Sequence, residues 1–295
     1  MGVDRNMRYT VAFILVFCML EITHAGSRIE FKKMPCTMLQ GITEREYTIY
    51  LPDDYNLSDT CTYPVLYLLH GGNCSNTDWV YSGNLQTVVD TLVSAGLAAK
   101  MIIVCPEGNK NNMIWFNAPH WKYEDFFFHE FMPYIETHYR VKPDKKYRSI
   151  AGYSMGGGAS IVYGLYHPEK FHVVYGMSSY LRSQYLEFLK DDSSASWRQQ
   201  LIDDNNPIRT IQSGTASKVM EWKKIHWFID CGDKDFTYEA NVDLIKAFRE
   251  QNIPYEFRVK GGGHDWDYWR IALRDAIVYV SQKMNYNSTI YEKTI

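Results

Sequence analysis

The sequence has few cysteines, and their spacing is uninformative. There are six in 295 residues, and no CxxC pair or His/Cys cluster has the spacing of a zinc site. So sparse a set excludes a disulfide-rich scaffold, which a chain of this length does not need for stability. We expect buried free thiols at Cys105 and Cys231, while a bridge among Cys36, Cys61 and Cys74 stays open.

Clustered basic charge is also lacking. The formal net charge is −3, and the lysines and arginines are scattered along the chain. Without a basic field, binding to nucleic acid or to an anionic membrane is not expected. The expected partner is a small molecule or an oligosaccharide, and the oligomeric state stays open.

The apolar run near the N-terminus, Tyr9 to Ile22, is shorter than the roughly 20 residues that span a bilayer. Arg5 and Arg8 precede this run, and Ala25 ends a small-residue cleavage site. This order is typical of a secretory signal peptide. We therefore expect residues 1–25 to be removed, leaving a periplasmic or secreted protein with no stable membrane insertion; an uncleaved anchor is the alternative.

Short β-rich apolar runs alternate with amphipathic stretches along the rest of the chain, which favours a mostly parallel sheet covered by helices on both faces. The expected strands are Tyr47 to Leu51, Val65 to Leu69, Met101 to Cys105, Tyr147 to Tyr153, Val173 to Met177, Ile225 to Asp230 and Tyr255 to Val259. The expected helices are Leu85 to Leu97, Asp125 to Tyr139, Gly156 to Tyr166, Val242 to Gln251 and Trp266 to Lys283. We predict one domain over residues 26–284, a lid- or cap-like insertion at residues 178–222 and a polar tail at residues 285–295.

The strongest local signal is Gly152-Tyr153-Ser154-Met155-Gly156, which fits the nucleophile-elbow pattern G-x-S-x-G. A predicted strand enters the motif and a helix of small residues leaves it. The glycines permit a sharp turn that holds the serine in a strained backbone conformation. We predict Ser154 as a nucleophile and the backbone N–H of Met155 as one donor of an oxyanion hole.

A serine nucleophile needs a base. In the fold that uses this elbow the chain order is serine, acid, histidine, which leaves His167, His172, His226 and His264. His264 lies in a glycine-rich turn between a predicted strand and the last helix, where a loop can bring the imidazole to the serine. The other three lie at a helix end or at strand starts, where a structural role is favoured. We predict His264 as the general base.

Three carboxylates compete for the acid position at the end of the preceding strand: Asp230, Asp233 and Asp235. Asp230 closes the strand and is expected to be buried or to point away from the loop. Asp235 lies beyond a turn, on a loop long enough to reach the histidine. We predict Asp235 as the acid that fixes the imidazole tautomer, with Asp233 as the alternative.

A second oxyanion donor is expected on the loop that follows an early strand. Leu68-Leu69-His70-Gly71-Gly72 closes the strand from Val65 to Leu69, and the backbone N–H of Gly72 is the candidate. The side chain of His70 is expected to stabilise this loop instead of transferring protons.

Together these motifs resemble the esterase family of α/β hydrolases that includes feruloyl and acetylxylan esterases of carbohydrate esterase family 1, tributyrin esterases, S-formylglutathione hydrolase and mycolyltransferases. The matching segments cover most of the chain in the family's order: Tyr63 to Gly72, Gly152 to Gly157, Cys231 to Asp235 and Gly261 to Trp266. The resemblance implies an α/β-hydrolase fold and a serine carboxylesterase that forms an acyl-enzyme. In the family's G-x-x-D segment the last residue, here Asp235, is the acid.

Export and the resemblance together favour feruloyl or acetyl esters on plant-polysaccharide fragments, and this chemistry needs no metal or organic cofactor. Trp79 and Trp115 are candidate substrate-binding residues because aromatic rings stack on sugar and feruloyl rings, burial in the core being the alternative. Acyl transfer to a sugar hydroxyl, as mycolyltransferases perform it, uses the same residues and stays the alternative function. A non-catalytic binding protein is not expected, because all three catalytic roles have an occupant.

Overall fold

The computed structural model describes residues 26–108, 115–181 and 195–284. The predicted signal peptide at residues 1–25 and the predicted tail at residues 285–295 lie outside these ranges, and so do residues 182–194 of the predicted insertion. In the described ranges, no helix has both the length and the apolar character that crossing a membrane requires.

Most of the strands join one large sheet. The strands are β1 (Arg28–Pro35), β2 (Glu44–Leu51), β3 (Val65–Leu69), β4 (Ile102–Pro106), β5 (Asn117–Ala118), β6 (Trp121–Lys122), β7 (Arg148–Tyr153), β8 (Val173–Met177), β9 (His226–Gly232) and β10 (Tyr255–Lys260). The eight-stranded sheet has the order β1-β2-β4-β3-β7-β8-β9-β10, and β5 pairs with β6 in a separate ribbon. Strands β1 and β2 are antiparallel to their neighbours, and the others run parallel. The predicted mostly parallel sheet is confirmed.

The central strands are apolar along their whole length because both faces of the sheet are covered. In β3 the side chains of Val65, Tyr67 and Leu69 belong to one core cluster. Those of Leu66 and Leu68 belong to the cluster on the opposite face. This alternation is the two-residue period of a strand, with helices packed on each side.

The helices divide between the two faces of the sheet. They are α1 (Asp78–Tyr81), α2 (Leu85–Ser94), α3 (Tyr123–Phe126), α4 (Met132–His138), α5 (Met155–Tyr166), α6 (Ala195–Asp204), α7 (Pro207–Gln212), α8 (Ala216–Trp222), α9 (Tyr238–Glu250) and α10 (Trp266–Lys283). A π-helical turn, Phe127–Phe131, joins α3 to α4, and a 3-10 turn, Lys145–Tyr147, precedes β7. Helices α4, α5, α7 and α9 contribute to one core cluster, and α2 and α10 to the other.

Strand β1 and the insertion are among the parts of the fold that differ from the sequence prediction. Strand β1 was not expected, because Arg28–Pro35 is rich in charge; it is a half-exposed edge strand held by pairing with β2. No helix was expected in the insertion, but its described part contains α6, α7 and α8. The side chain of Trp222 is buried, and its indole N–H donates a 2.8 Å hydrogen bond to the carbonyl of Leu165 in α5. A lid or cap function for residues 178–222 stays a prediction.

All five cysteines in the described residues are free. Cys105 and Cys231 are buried, as predicted, since each is the next-to-last residue of a strand in the core sheet. The bridge considered among Cys36, Cys61 and Cys74 is not formed.

Candidate active site

Ser154 occupies the tight turn between β7 and α5. Its backbone has φ 52° and ψ −120°, a conformation that costs a residue with a Cβ about 1–3 kcal/mol. Backbone hydrogen bonds hold it there. The N–H of Ser154 donates to the carbonyl of Met177 (3.0 Å), and its own carbonyl accepts from the N–H groups of Gly158 (3.0 Å) and Tyr180 (2.8 Å). The serine is therefore fixed at the carboxyl edge of the sheet.

The glycines of the elbow are required by close backbone contacts. A Cβ on Gly156 would lie 2.5 Å from the carbonyl oxygen of His70 and 2.7 Å from that of Leu69. A Cβ on Gly152 would lie 2.5 Å from the carbonyl group of Gly156. The absence of side chains lets the elbow pack directly against the loop that follows β3.

The structure brings Ser154, His264 and Asp235 together in one chain of hydrogen bonds. The Nε2 atom of His264 lies 2.8 Å from the Oγ atom of Ser154. Its Nδ1 atom lies 2.9 Å from both carboxylate oxygens of Asp235. The Asp235 side chain is completely buried, whereas His264 is 17% exposed. Hydroxyl, imidazole and carboxylate in this order can activate a serine by general-base catalysis.

The environment of Asp235 keeps it ionised. Its Oδ1 atom accepts hydrogen bonds from the backbone N–H (2.8 Å) and the hydroxyl (2.7 Å) of Thr237. Burial acts to raise the pKa of Asp235, but the hydrogen bonds with His264 and Thr237 outweigh burial and hold the pKa below its ordinary value. Asp235 therefore presents a negative charge to the Nδ1 side of His264.

Asp233, the alternative acid, has a different position. Its Oδ1 atom accepts a 3.0 Å hydrogen bond from the backbone N–H of Gly262. The N–H of Lys234 also donates to the carbonyl of Gly262, at 3.0 Å. Asp233 thus joins the loop that carries Asp235 to the loop that carries His264.

Asp230 is buried, as expected, but it lies inside β9, which continues to Gly232. The hydroxyl of Tyr175 donates a 2.6 Å hydrogen bond to its Oδ2 atom. Burial raises the pKa of Asp230 to about 7. This carboxyl group therefore lies in the core and takes no part in the Ser154–His264–Asp235 chain.

The two predicted oxyanion-hole residues are neighbours in space. Met155 is the first residue of α5, so its N–H has no carbonyl partner within the helix. Gly72 lies beside it: a Cβ on Gly72 would be 2.5 Å from the Sδ atom of Met155. Their donation to an oxyanion stays a prediction.

His70 supports the loop that carries Gly72. Its Nε2 atom accepts a 3.1 Å hydrogen bond from the N–H of Gly108, so its Nδ1 atom carries the proton and donates to the carbonyl of Gly71 at 2.8 Å. Burial lowers the pKa of His70 and favours this neutral form. His70 therefore stabilises the loop through hydrogen bonds in the protein interior.

Glu107 is a buried residue near this loop that the sequence reasoning missed. One carboxylate oxygen accepts a 3.2 Å hydrogen bond from the backbone N–H of Asn76. The other lies 3.9 Å from the guanidinium of Arg45, and both side chains are almost completely buried. The Nε–H of Arg45 also donates to the carbonyl of Glu107, at 2.8 Å. The sequence feature that could have identified Glu107 is its position immediately after the buried strand β4.

The expectation for Trp79 and Trp115 is corrected by their burial. Trp79 has no exposed surface, and its indole N–H donates to the carbonyl of Leu69 at 3.1 Å. Trp115 is 1% exposed, with its ring centroid 4.8 Å from that of His70. Because enclosed rings have no face to offer to a substrate, both residues are assigned to packing around the loop that carries Gly72. Among the described residues, Phe236 is an exposed aromatic residue beside the site, and the sequence reasoning did not consider it.

No group of three or more histidine, cysteine, aspartate or glutamate side chains within the described ranges is arranged to hold a metal ion.

Comparison with known proteins places these features in a family context. A family model described as "Putative esterase" matches residues 42–280. An endo-1,4-beta-xylanase/feruloyl esterase from Xylanibacter ruminicola is 26% identical over 76% of this chain, and the match spans 28% of that longer protein. An acetyl esterase from Caldicellulosiruptor saccharolyticus is 21% identical over 76% of this chain and 85% of its own length.

Solved structures of esterases and related hydrolases also resemble this chain. A ferulic acid esterase superimposes with a TM-score of 0.82 and 35% identity, over 88% of this chain and 99% of that chain. An S-formylglutathione hydrolase from Staphylococcus aureus superimposes with a TM-score of 0.72 and 22% identity, over 86% of this chain and 99% of that chain. The second likeness concerns the fold alone, which is the α/β-hydrolase fold expected from the sequence.

Proposed function

This chain belongs to the esterase family and is a carboxylic ester hydrolase, and from that premise we propose that Ser154 is its nucleophile, His264 its general base and Asp235 its acid. The observation that carries this proposal is the unbroken hydrogen-bond chain from the Ser154 hydroxyl through the imidazole to the Asp235 carboxylate. The strained conformation of Ser154, held by the surrounding backbone, supports the same assignment.

The proposed reaction has two stages. The Oγ atom of Ser154 attacks the acyl carbonyl carbon while its proton passes to Nε2 of His264. Asp235 stabilises the resulting imidazolium, and the N–H groups of Met155 and Gly72 stabilise the oxyanion. The imidazolium then protonates the leaving alcohol, which departs and leaves the acyl group on Ser154. A water molecule, deprotonated by His264, hydrolyses that acyl-enzyme and restores the serine.

We infer that the substrates are feruloyl or acetyl esters on plant-polysaccharide fragments. The support is the 35% identity to a ferulic acid esterase over nearly the whole of that chain. Two other relatives are named for feruloyl and acetyl ester hydrolysis.

We also propose that the catalytic domain spans residues 26–284 and is exported after cleavage behind Ala25. The sequence of residues 1–25, with Arg5 and Arg8 before an apolar run, supports this. Expression of the full chain in a bacterial host tests it. A periplasmic or secreted product that begins at Gly26 is expected, and a product that retains residues 1–25 would contradict the proposal.

The substrate proposal is tested with p-nitrophenyl acetate, p-nitrophenyl butyrate, methyl ferulate and acetylated xylan, using the wild type and Ser154→Ala. We expect turnover of at least the feruloyl or the acetyl esters by the wild type and a loss of several orders of magnitude in the variant. No turnover of any ester by the wild type would overturn it. Product analysis with a competing sugar acceptor separates hydrolysis from acyl transfer.

A further inference from the structure

Phe236 is an exposed aromatic residue on the loop that carries Asp235. It stands between Asp235 and Thr237, both buried and hydrogen-bonded to each other, so its backbone is held from both sides. Its side chain is nevertheless 71% exposed. A single exposed ring is ordinary on a protein surface, but this ring lies next to the Ser154–His264–Asp235 chain, where a bound substrate can contact it.

The ring lies against the imidazole. Its centroid is 4.4 Å from that of His264, with an angle of 50° between the planes. Tyr180 approaches the Phe236 ring edge-on, with centroids 6.4 Å apart. Both neighbours leave most of the Phe236 surface open to solvent.

The position of Phe236 indicates which part of the substrate its ring contacts. In the reaction proposed above, the Nε2 atom of His264 protonates the leaving oxygen, so the leaving alcohol must lie beside the imidazole. A ring packed against His264 is within reach of an alcohol held beside that imidazole. We propose that Phe236 is a stacking platform for the carbohydrate ring of the leaving alcohol, an inference that rests on the proposed function.

The chemistry around the ring suits a sugar. The carbon-bound hydrogens of a sugar ring form an apolar face that packs on an aromatic ring, while its hydroxyl groups need polar partners. Asp233 and Lys234, which precede Phe236 on the same loop, are both exposed. The loop thus carries an exposed aromatic ring and exposed charged side chains, which are the two kinds of group that a sugar needs.

The experiment compares two substrates with the same acyl group and different alcohols, methyl ferulate and a feruloylated xylan oligosaccharide. The variants are Phe236→Ala, Phe236→Leu, which keeps apolar bulk against His264, and Phe236→Trp, which keeps a ring. The matched control is Phe31→Ala, because Phe31 is also exposed, at 52%, but lies on the edge strand β1.

We expect kcat/KM for the oligosaccharide, relative to methyl ferulate, to fall about fivefold to tenfold in Phe236→Ala and Phe236→Leu, mainly through KM. Phe236→Trp should keep the wild-type ratio, as should Phe31→Ala. If the ratio of kcat/KM values for the two substrates is unchanged in all the variants, the proposed stacking role of Phe236 is wrong. An equal loss on both substrates would also overturn it, because it would place the ring against the acyl group or in support of His264.

A binding measurement separates this inference from the proposed function. If the wild type hydrolyses neither ester, the proposed function fails, and the platform is judged by affinity alone. In the Ser154→Ala background, Phe236→Ala should weaken binding of the feruloylated oligosaccharide about fivefold. Unchanged affinity would overturn the platform whatever the outcome for hydrolysis.

Discussion

The Nε2 atom of His264 lies 2.8 Å from the Oγ atom of Ser154, although 110 positions separate the two residues in the chain. The parallel strands explain this proximity. Ser154 follows β7 and His264 follows β10, and the carboxyl ends of parallel strands meet at one edge of the sheet. Asp235 follows β9, the strand between them and next to β10. The fold thus gathers three loops that are distant in sequence.

Asp235→Asn should lower kcat by about three to four orders of magnitude, because an amide cannot stabilise the imidazolium and can hold the wrong imidazole tautomer. Asp233→Asn is the matched control on the same loop. Asp233 bonds to Gly262 and not to the imidazole, so a change of less than about tenfold is expected. Steady-state kinetics on one ester measures both, and equal losses would contradict the assignment of the acid.

Glu107→Ala should lower the free energy of unfolding by about 3 kcal/mol or more, because it leaves the buried guanidinium of Arg45 without its carboxylate. Glu44→Ala is the control. Its ion pair with Lys33 is 3.6 Å long and more than half exposed on both sides, so a change below about 1 kcal/mol is expected. Urea unfolding measures both values, and similar values for the two variants would refute the structural role of Glu107.

Gly156→Ala should abolish activity and destabilise the fold, since the added Cβ would lie 2.5 Å from the carbonyl oxygen of His70. The turn at Ser154 and the loop that follows β3 would have to move apart. Gly26→Ala is the control, because a Cβ there meets nothing within 4 Å. Activity and melting temperature are measured for both, and a fully active Gly156→Ala would show that the elbow tolerates this separation.

Asp230 should make stability depend on pH. Its folded-state pKa is raised by burial to about 7, above the ordinary value of 3.8, so the folded state binds this proton more tightly than the unfolded chain does. The resulting stabilisation is complete below about pH 4 and is lost as the pH rises to about 7. Each unit of pKa difference is worth about 1.4 kcal/mol.

Comparison with Asp230→Asn isolates this effect from other titrating groups. His226, for example, has its pKa lowered by burial to about 4, which gives stability an opposite trend over part of the same range. From pH 5 to pH 8, urea unfolding should show the wild type losing stability relative to Asp230→Asn. A constant difference between the two proteins would show that Asp230 does not titrate in this range.

The sequence predicts most of the sheet because the central strands are continuously apolar and each is bounded by a turn or a helix. It also selects Ser154, His264 and Asp235 as candidates, since each stands in a short motif directly after a strand. Strand β1 escapes prediction because it depends on main-chain pairing with β2 and has little apolar pattern of its own.

Side-chain exposure is harder to predict because it depends on contacts between distant segments. Trp79 and Trp115 stand in sequence segments that were expected to approach the site, yet both side chains are enclosed by packing against other parts of the chain. Phe236 is exposed because its buried neighbours hold the loop so that its side chain faces solvent. The pairing of Glu107 with Arg45 joins β2 to the end of β4, a contact that no local pattern reveals.

The most direct measurement of the central claim is mass spectrometry of the protein after reaction with an alkyl fluorophosphonate, which phosphonylates an activated serine and releases fluoride. We predict one adduct, on the peptide that contains Ser154, and none on Ser154→Ala. We also predict slow labelling of His264→Ala, because the base that activates the hydroxyl is missing. An adduct on another residue, or an active esterase that takes no label, would contradict the account.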